Sequence, residues 1–113
     1  MSAKAQTDLD QICKIIDNTV DTEKIYLFGS RAYGVPRLDS DYDLCVIIPD
    51  GTLRPVDAIK RIRRALYPIQ AVPLDVLVYR AGSFAARQQL PSLERKIARE
   101  GVLLHERAEQ RVV

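Results

Sequence analysis

A chain of 113 residues, 47% of them hydrophobic, is long enough to bury one core, and we expect residues 1–113 to form a single domain. The net charge of only +2 argues against nonspecific binding of nucleic acid, so we do not expect direct nucleic-acid contact. No stretch approaches the roughly 20 apolar residues of a membrane span, and the N-terminus lacks the apolar core of a signal peptide. The sequence therefore predicts a cytoplasmic protein with no membrane contact.

The N-terminal half predicts a helix followed by two strands. Residues 7–20 have helical periodicity, with Thr7 as the predicted cap. Residues 25–28 predict a short buried strand that Gly29 ends, and residues 43–48 predict a second strand, apolar on both faces as in a central strand covered by helices. The predicted helix buries one apolar stripe, formed by Leu9, Ile12, Cys13, Ile16 and Val20. Cys13 and Cys45 both lie in apolar patterns, which favours buried free thiols over a disulfide.

The C-terminal half predicts a helix, a strand and two short helices. Pro55 suits the first turn of a helix over residues 55–67, whose apolar stripe is Val56, Ile59, Ile62 and Leu66. Residues 74–79 predict a third strand, and short helices are predicted to begin at Ser83 and at Pro91 or Ser92, the last ending at Gly101 as a left-handed cap. Residues 102–105 predict a closing strand or an extended tail. The order α-β-β-α-β-α-α predicts the α/β class, more closely an α+β fold in which helices back a small mixed sheet.

Two carboxylates open the second predicted strand. Asp41 and Asp43 are two residues apart, so on a regular strand both side chains point to the same face. Carboxylates placed side by side resist joint ionisation unless a cation lies between them. Mg²⁺, bound partly through substrate phosphate, is the usual ion at such a pair. An Asp-x-Asp pair alone also fits an ordinary polar strand end.

A glycine–serine turn comes before this pair. Gly29 and Ser30 follow the first predicted strand and precede Arg31, where a helical turn can begin. Backbone N–H groups at such a turn attract phosphate, and glycine lets phosphate approach without a Cβ in the way. The Ser30 hydroxyl can add a hydrogen bond, although a Gly-Ser pair alone is equally typical of a plain turn.

Asp75 is the third acidic residue of interest, because it interrupts the apolar run of residues 74–78. A charge inside a buried strand is costly unless it is paired with an opposite charge or bound to a metal. A salt bridge to an arginine is the alternative. Three carboxylates from two strands can hold two metal ions about 3.5–4 Å apart, the arrangement used in phosphoryl transfer.

The combined pattern, Gly29-Ser30, ten residues, Asp41-x-Asp43 and a later strand carboxylate at Asp75, resembles the DNA polymerase β-like nucleotidyltransferase superfamily. The short chain resembles its minimal nucleotidyltransferase branch, the MntA-type antitoxins. Tyr33 stands where many members carry an arginine, which leaves Arg31 as the nearer basic contact for phosphate. The resemblance extends over nearly the whole chain.

This resemblance implies a function. Asp41, Asp43 and Asp75 would be the catalytic residues and would hold Mg²⁺, with two ions expected, while Gly29, Ser30 and Arg31 would bind the phosphates of ATP. The chain would transfer AMP from ATP to a tyrosine of a partner HEPN ribonuclease toxin of the HepT type and so act as its antitoxin. Two alternatives remain open: transfer to a small hydroxyl compound such as an aminoglycoside, and a non-catalytic module that sequesters a partner.

Other polar and aromatic residues predict simpler roles. The run of Lys60, Arg61, Arg63 and Arg64 is typical of a solvated helix face, with an acidic or phosphate-rich partner surface as the alternative. Packing positions are expected for four tyrosines that flank apolar runs: Tyr26, Tyr42, Tyr67 and Tyr79.

Overall fold

The computed structural model describes residues 3–29, 42–69 and 74–107. In chain order these residues form helix α1 (Ala3–Thr19), strands β1 (Lys24–Phe28) and β2 (Tyr42–Ile48), helix α2 (Pro55–Leu66), a 3-10 turn (Tyr67–Ile69), strand β3 (Leu74–Arg80), helices α3 (Ala81–Arg87) and α4 (Leu93–Glu100), and strand β4 (Val102–Glu106). None of the helices in these three ranges is both long and apolar enough to cross a membrane.

The four strands form one mixed sheet in the order β3-β2-β1-β4. Strand β1 pairs antiparallel with both β2 and β4, whereas β2 and β3 run parallel. Helix α2 connects the two parallel strands, because a parallel pair needs a crossover connection. The predicted mixed sheet backed by helices is confirmed, and the segment after Gly101 is a strand rather than an extended tail.

The larger core lies between one face of the sheet and helices α1 and α2. Side chains alternate along β2, so Leu44, Val46 and Ile48 all point into this core. The whole stripe predicted for the first helix is buried there. In α2 the predicted stripe is only partly correct, because Val56 is 48% exposed and Ala58 is buried in its place.

The smaller core lies on the other face of the sheet, beneath α3 and α4. The Phe84 ring stacks on Tyr26 with centroids 6.0 Å apart and meets Tyr79 at 5.7 Å. Cys45 and Ile97 complete this layer. Both cysteines are buried free thiols, as predicted. Burial, reinforced by the nearby Glu94 carboxylate, raises the pKa of the Cys45 thiol to about 12.

Several predicted helix boundaries need correction. Helix α1 begins at Ala3, since residues 3–6 are good helix formers, so Thr7 lies inside the helix rather than before its first residue. Helix α3 begins at Ala81 instead of Ser83, directly where β3 ends. The predicted start of α4 is correct: the Ser92 hydroxyl oxygen accepts a hydrogen bond of 3.1 Å from the backbone N–H of Arg95.

Gly101 ends α4, but not as the predicted left-handed cap. Its φ is −68° and its backbone is extended. A Cβ at this position would lie 2.6 Å from the carbonyl oxygen of Ile97 and 3.1 Å from that of Leu27. Glycine is therefore required here by the close approach of two backbone segments, rather than by a positive φ.

Candidate functional site

Two of the predicted acidic residues, Asp43 and Asp75, lie opposite each other on neighbouring strands. Their Cα atoms are register partners in the parallel β2–β3 pair. Register partners on adjacent strands are about 5 Å apart and share a face of the sheet. Both carboxylates therefore point to the face that α3 and α4 partly cover, at the end where β2 and β3 begin.

The two carboxylates differ in exposure: Asp43 is half-buried, whereas Asp75 is exposed. The sequence argument that a buried charge at Asp75 needs compensation is therefore wrong. Strand β3 is an edge strand, and Phe84 and Ile97 pack farther along the face over Cys45. The first residues of β3 consequently remain at an open rim, where a carboxylate is accessible to substrate.

Gly29 brings the turn after β1 directly against Asp43. It has a φ of +78°, a left-handed conformation that favours glycine. Its neighbour Phe28 is the register partner of Asp43. A Cβ added at Gly29 would collide with the Asp43 carboxylate oxygen Oδ2 and lie 3.1 Å from Cγ. The absence of a side chain at Gly29 is thus what leaves space for the Asp43 carboxylate.

The other predicted site residues, Asp41, Ser30 and Arg31, lie outside the described residues. Their roles, and the expectation that Asp41 shares a face with Asp43, stay predictions. Within the three described ranges no group of three or more potential metal ligands comes together. The described part of the site therefore contains two carboxylates, those of Asp43 and Asp75. Asp41 is predicted to supply the third.

These two carboxylates fit a hard divalent cation. Like charges directly opposite each other on adjacent strands repel. A cation with oxygen ligands offsets this repulsion, and Mg²⁺ commonly takes one or two carboxylates plus substrate oxygens. The exposure of Asp75 leaves room for those additional oxygens.

A buried polar group that the sequence analysis missed lies farther along the same face. Glu94, in the first turn of α4, is only 5% exposed. Its Oε1 lies 3.5 Å from Nη1 of Arg87 on α3, and it interacts electrostatically with Tyr79. Burial and the Glu94 charge raise the pKa of Tyr79 to about 12. Glu94 was overlooked because an acidic residue in a first helical turn is also typical of a solvated helix end.

The opposite end of the sheet holds a cavity of about 490 Å³, which does not coincide with the carboxylates. Three acidic residues line it, and each already has a structural contact. Asp17 Oδ1 lies 3.3 Å from His105 Nε2, Asp21 Oδ1 lies 3.7 Å from Arg107 Nη2, and Asp50 accepts a hydrogen bond of 3.0 Å from the backbone N–H of Gly82. The Asp43–Asp75 rim, rather than this cavity, is therefore the candidate site.

Comparison with known proteins gives a family match over most of the chain. The model of the nucleotidyltransferase domain family matches residues 9–104. No curated protein sequence matches the chain significantly.

Three solved structures share the fold. A toxin–antitoxin crystallised with AMP-PNP is 22% identical over 88% of this chain and 73% of its own, with a TM-score of 0.60. A candidate nucleotidyltransferase of Sulfolobus solfataricus is also 22% identical, over 92% of this chain and 86% of its own, with a TM-score of 0.60. A complex of the tri-AMPylated Shewanella oneidensis HEPN toxin with an MNT antitoxin provides a chain 20% identical over 90% of this chain and 72% of its own, with a TM-score of 0.56.

Proposed function

Because the chain belongs to the nucleotidyltransferase domain family, we propose that it is a Mg²⁺-dependent enzyme that transfers AMP from ATP to a hydroxyl group of another protein. The observation that carries the proposal is the placement of Asp43 and Asp75 in register on parallel strands, with Gly29 packed against Asp43. This arrangement places two carboxylates and the glycine that ends β1 together at one end of the sheet. It supports the proposal, because nucleotide transfer uses carboxylates that hold a divalent cation beside the substrate phosphates.

The donor half of the site lies at the turn after β1. Gly29, Ser30 and Arg31 bind the β- and γ-phosphates, using backbone N–H groups, the Ser30 hydroxyl and the Arg31 guanidinium. Asp41, Asp43 and Asp75 would hold the metal, with two ions expected. Bound Mg²⁺ would supply charge neutralisation at the phosphates.

The acceptor half begins at Asp75. This carboxylate is exposed, so an incoming hydroxyl can reach it without rearrangement of the covering helices. We assign to Asp75 the role of accepting the hydroxyl proton as the oxygen attacks the α-phosphorus. Asp43 is half-buried and fixed against Gly29, which suits a group that keeps one position during the reaction.

The proposed acceptor is a tyrosine of a HEPN ribonuclease toxin of the HepT type, with this chain as its cytoplasmic antitoxin. Two structural neighbours support the proposal: one is a toxin–antitoxin crystallised with AMP-PNP, the other an MNT antitoxin with a tri-AMPylated HEPN toxin.

The test is transfer of label from α-labelled ATP to a HEPN toxin in the presence of Mg²⁺. Wild-type protein is expected to label the toxin, while Asp43→Asn and Asp75→Asn lower the rate by roughly a hundredfold or more, since each loses an essential charge. Chelation of the metal is expected to have the same effect. Asp21→Asn, at the opposite end of the molecule, is the matched control and should retain the wild-type rate.

Two results would refute parts of the proposal. Label on an aminoglycoside but not on the toxin would show a small-molecule transferase. If a double variant that carries Asp43→Asn and Asp75→Asn protects cells as completely as wild type does, that result would show that the toxin is neutralised by binding alone. Absence of labelled product with every acceptor, despite folded protein, would overturn the enzymatic assignment itself.

A further inference from the structure

The tyrosines of the described residues differ sharply in exposure. Tyr26 and Tyr42 are buried, with 9% and 3% exposed. Tyr79 is half-buried and interacts with Glu94. Tyr67, by contrast, is 82% exposed, so its predicted packing role is wrong. Among the tyrosines that the structure describes, Tyr67 is therefore the one whose hydroxyl another active site can readily reach.

Tyr67 lies at the same end of the sheet as the carboxylates. Helix α2 starts at the other end, where the Arg80 guanidinium donates hydrogen bonds of 3.2 and 3.3 Å to the Leu53 carbonyl. The helix then returns along the sheet and ends at Leu66, just before Tyr67. Helix α2 packs on the face of the sheet opposite to Asp43 and Asp75. Within one copy of the chain, Tyr67 and the two carboxylates therefore lie on opposite faces of the sheet. A second copy of the chain is thus better placed to reach it.

Two cations lie beside Tyr67 along the helix surface. The Tyr67 backbone N–H bonds to the carbonyl of Arg63, so residue 67 continues the helical path. Side chains three and four residues apart on that path are neighbours, which places Arg63 and Arg64 next to the tyrosine. Both arginines are exposed, and neither forms an ion pair with any of the described residues. Two exposed guanidinium groups beside a hydroxyl favour the approach of a triphosphate.

We propose that Tyr67 is a self-modification site, at which one copy of the chain receives AMP from ATP bound to a second copy. The inference rests on the proposed nucleotide-transfer activity and adds a second acceptor to it. The Tyr67 phenolic oxygen forms a bond to the α-phosphorus, and the bond from that phosphorus to the oxygen bridging to the β-phosphate breaks. Pyrophosphate leaves with that electron pair, and the second copy's Asp75 takes the phenolic proton. The product carries a phosphodiester charge beside Arg63 and Arg64.

The experiment uses the full chain with α-labelled ATP and Mg²⁺, followed by peptide mapping of the modified residue. Wild-type protein is expected to gain label on Tyr67, at a rate that rises with protein concentration. Tyr67→Phe should lose the label. Tyr79→Phe removes a half-buried phenol of the same chemistry. Where circular dichroism shows that this variant is folded, it should still gain the label on Tyr67.

Transfer between copies is tested by mixing two variants. Asp43→Asn lacks activity but keeps the acceptor, while Tyr67→Phe keeps activity but lacks the acceptor. Each alone should stay unlabelled, whereas the mixture should place label on the Asp43→Asn chain. An unlabelled mixture, a label at another residue or a label that persists in Tyr67→Phe would each overturn the inference.

A parallel reaction with a HEPN toxin separates this inference from the proposed function. Tyr67→Phe is expected to label the toxin at the wild-type rate. If wild type labels the toxin but never itself, self-modification is wrong and the transfer activity stands. If neither toxin nor chain is labelled, the proposed function and the inference both fail.

Discussion

At the scale of single residues, Gly29 is the position where backbone conformation and site geometry depend on each other. Its φ of +78° costs a non-glycine residue about 1–2 kcal/mol. A Cβ there would also displace the Asp43 carboxylate. We expect Gly29→Ala to lower the free energy of unfolding by at least that amount and to reduce nucleotide transfer more than tenfold. Urea denaturation and the rate of label transfer measure the two effects separately.

Gly51 provides the matched control for this substitution. No atom lies within 4 Å of a Cβ added at Gly51, and its φ is not positive. Gly51→Ala should leave activity unchanged and stability within about 0.5 kcal/mol of wild type. Equal stability and activity of Gly29→Ala and Gly51→Ala would show that the contact between Gly29 and Asp43 has no role.

The sequence predicted a turn at Gly29 but not its contact with Asp43. A glycine that follows a short apolar run is visible as a turn. Its approach to Asp43 depends on the antiparallel register of β1 and β2, which places Phe28 opposite Asp43. Pairing between distant segments leaves no local periodicity in the chain, so the sequence alone did not predict this contact.

At the scale of elements, local sequence patterns predicted whether a segment is a helix or a strand. They predicted less well which of its side chains are exposed. The apolar runs of β2 and β3 and the stripe of α1 were recognisable because burial follows the strand or helix period. The exposure of Asp75 was predicted wrongly, because it depends on where α3 and α4 cross the sheet. The packing role predicted for Tyr67 was wrong for a similar reason. Helix α2 ends at Leu66, and the chain leaves the core there, so the tyrosine side chain is exposed.

Glu94 on α4 and Tyr79 on β3 form a polar interaction between a helix and the sheet. Glu94 is 5% exposed, and we predict that a hydrogen bond from the Tyr79 hydroxyl stabilises this buried carboxylate. Tyr79→Phe removes the hydroxyl, so we expect a loss of about 1–3 kcal/mol in the free energy of unfolding. Thermal and urea denaturation measure the loss.

A double-mutant cycle tests whether the hydrogen bond itself is responsible. Glu94→Leu removes the buried charge, so adding Tyr79→Phe to that variant should cost much less than it costs in wild type. Additive losses would indicate that Tyr79 acts through packing on Phe84, whose ring centroid lies 5.7 Å from its own, rather than through the hydrogen bond.

At the scale of the whole molecule, β2 joins two cores of unequal size. Leu44, Val46 and Ile48 point into the larger core beneath α1 and α2, while Cys45 and Ile47 point into the smaller core beneath α3 and α4. The candidate site lies at the end of the same strand. Because β2 contributes side chains to both cores, it cannot unfold in one core and stay folded in the other. We therefore expect both cores and the site to be lost together.

We therefore expect one cooperative unfolding transition, whichever core is weakened. Leu44→Ala in the larger core and Phe84→Ala in the smaller one should each cost about 2–5 kcal/mol. The 61% exposed Leu90 is the control, and Leu90→Ala should cost less than about 0.5 kcal/mol. The chain has no Trp, so tyrosine emission reports the cores while far-ultraviolet circular dichroism reports the helices. Both signals should share one midpoint in every variant. Separate midpoints in Phe84→Ala would instead show that α3 and α4 detach while the rest of the fold, with Asp43 and Asp75, persists.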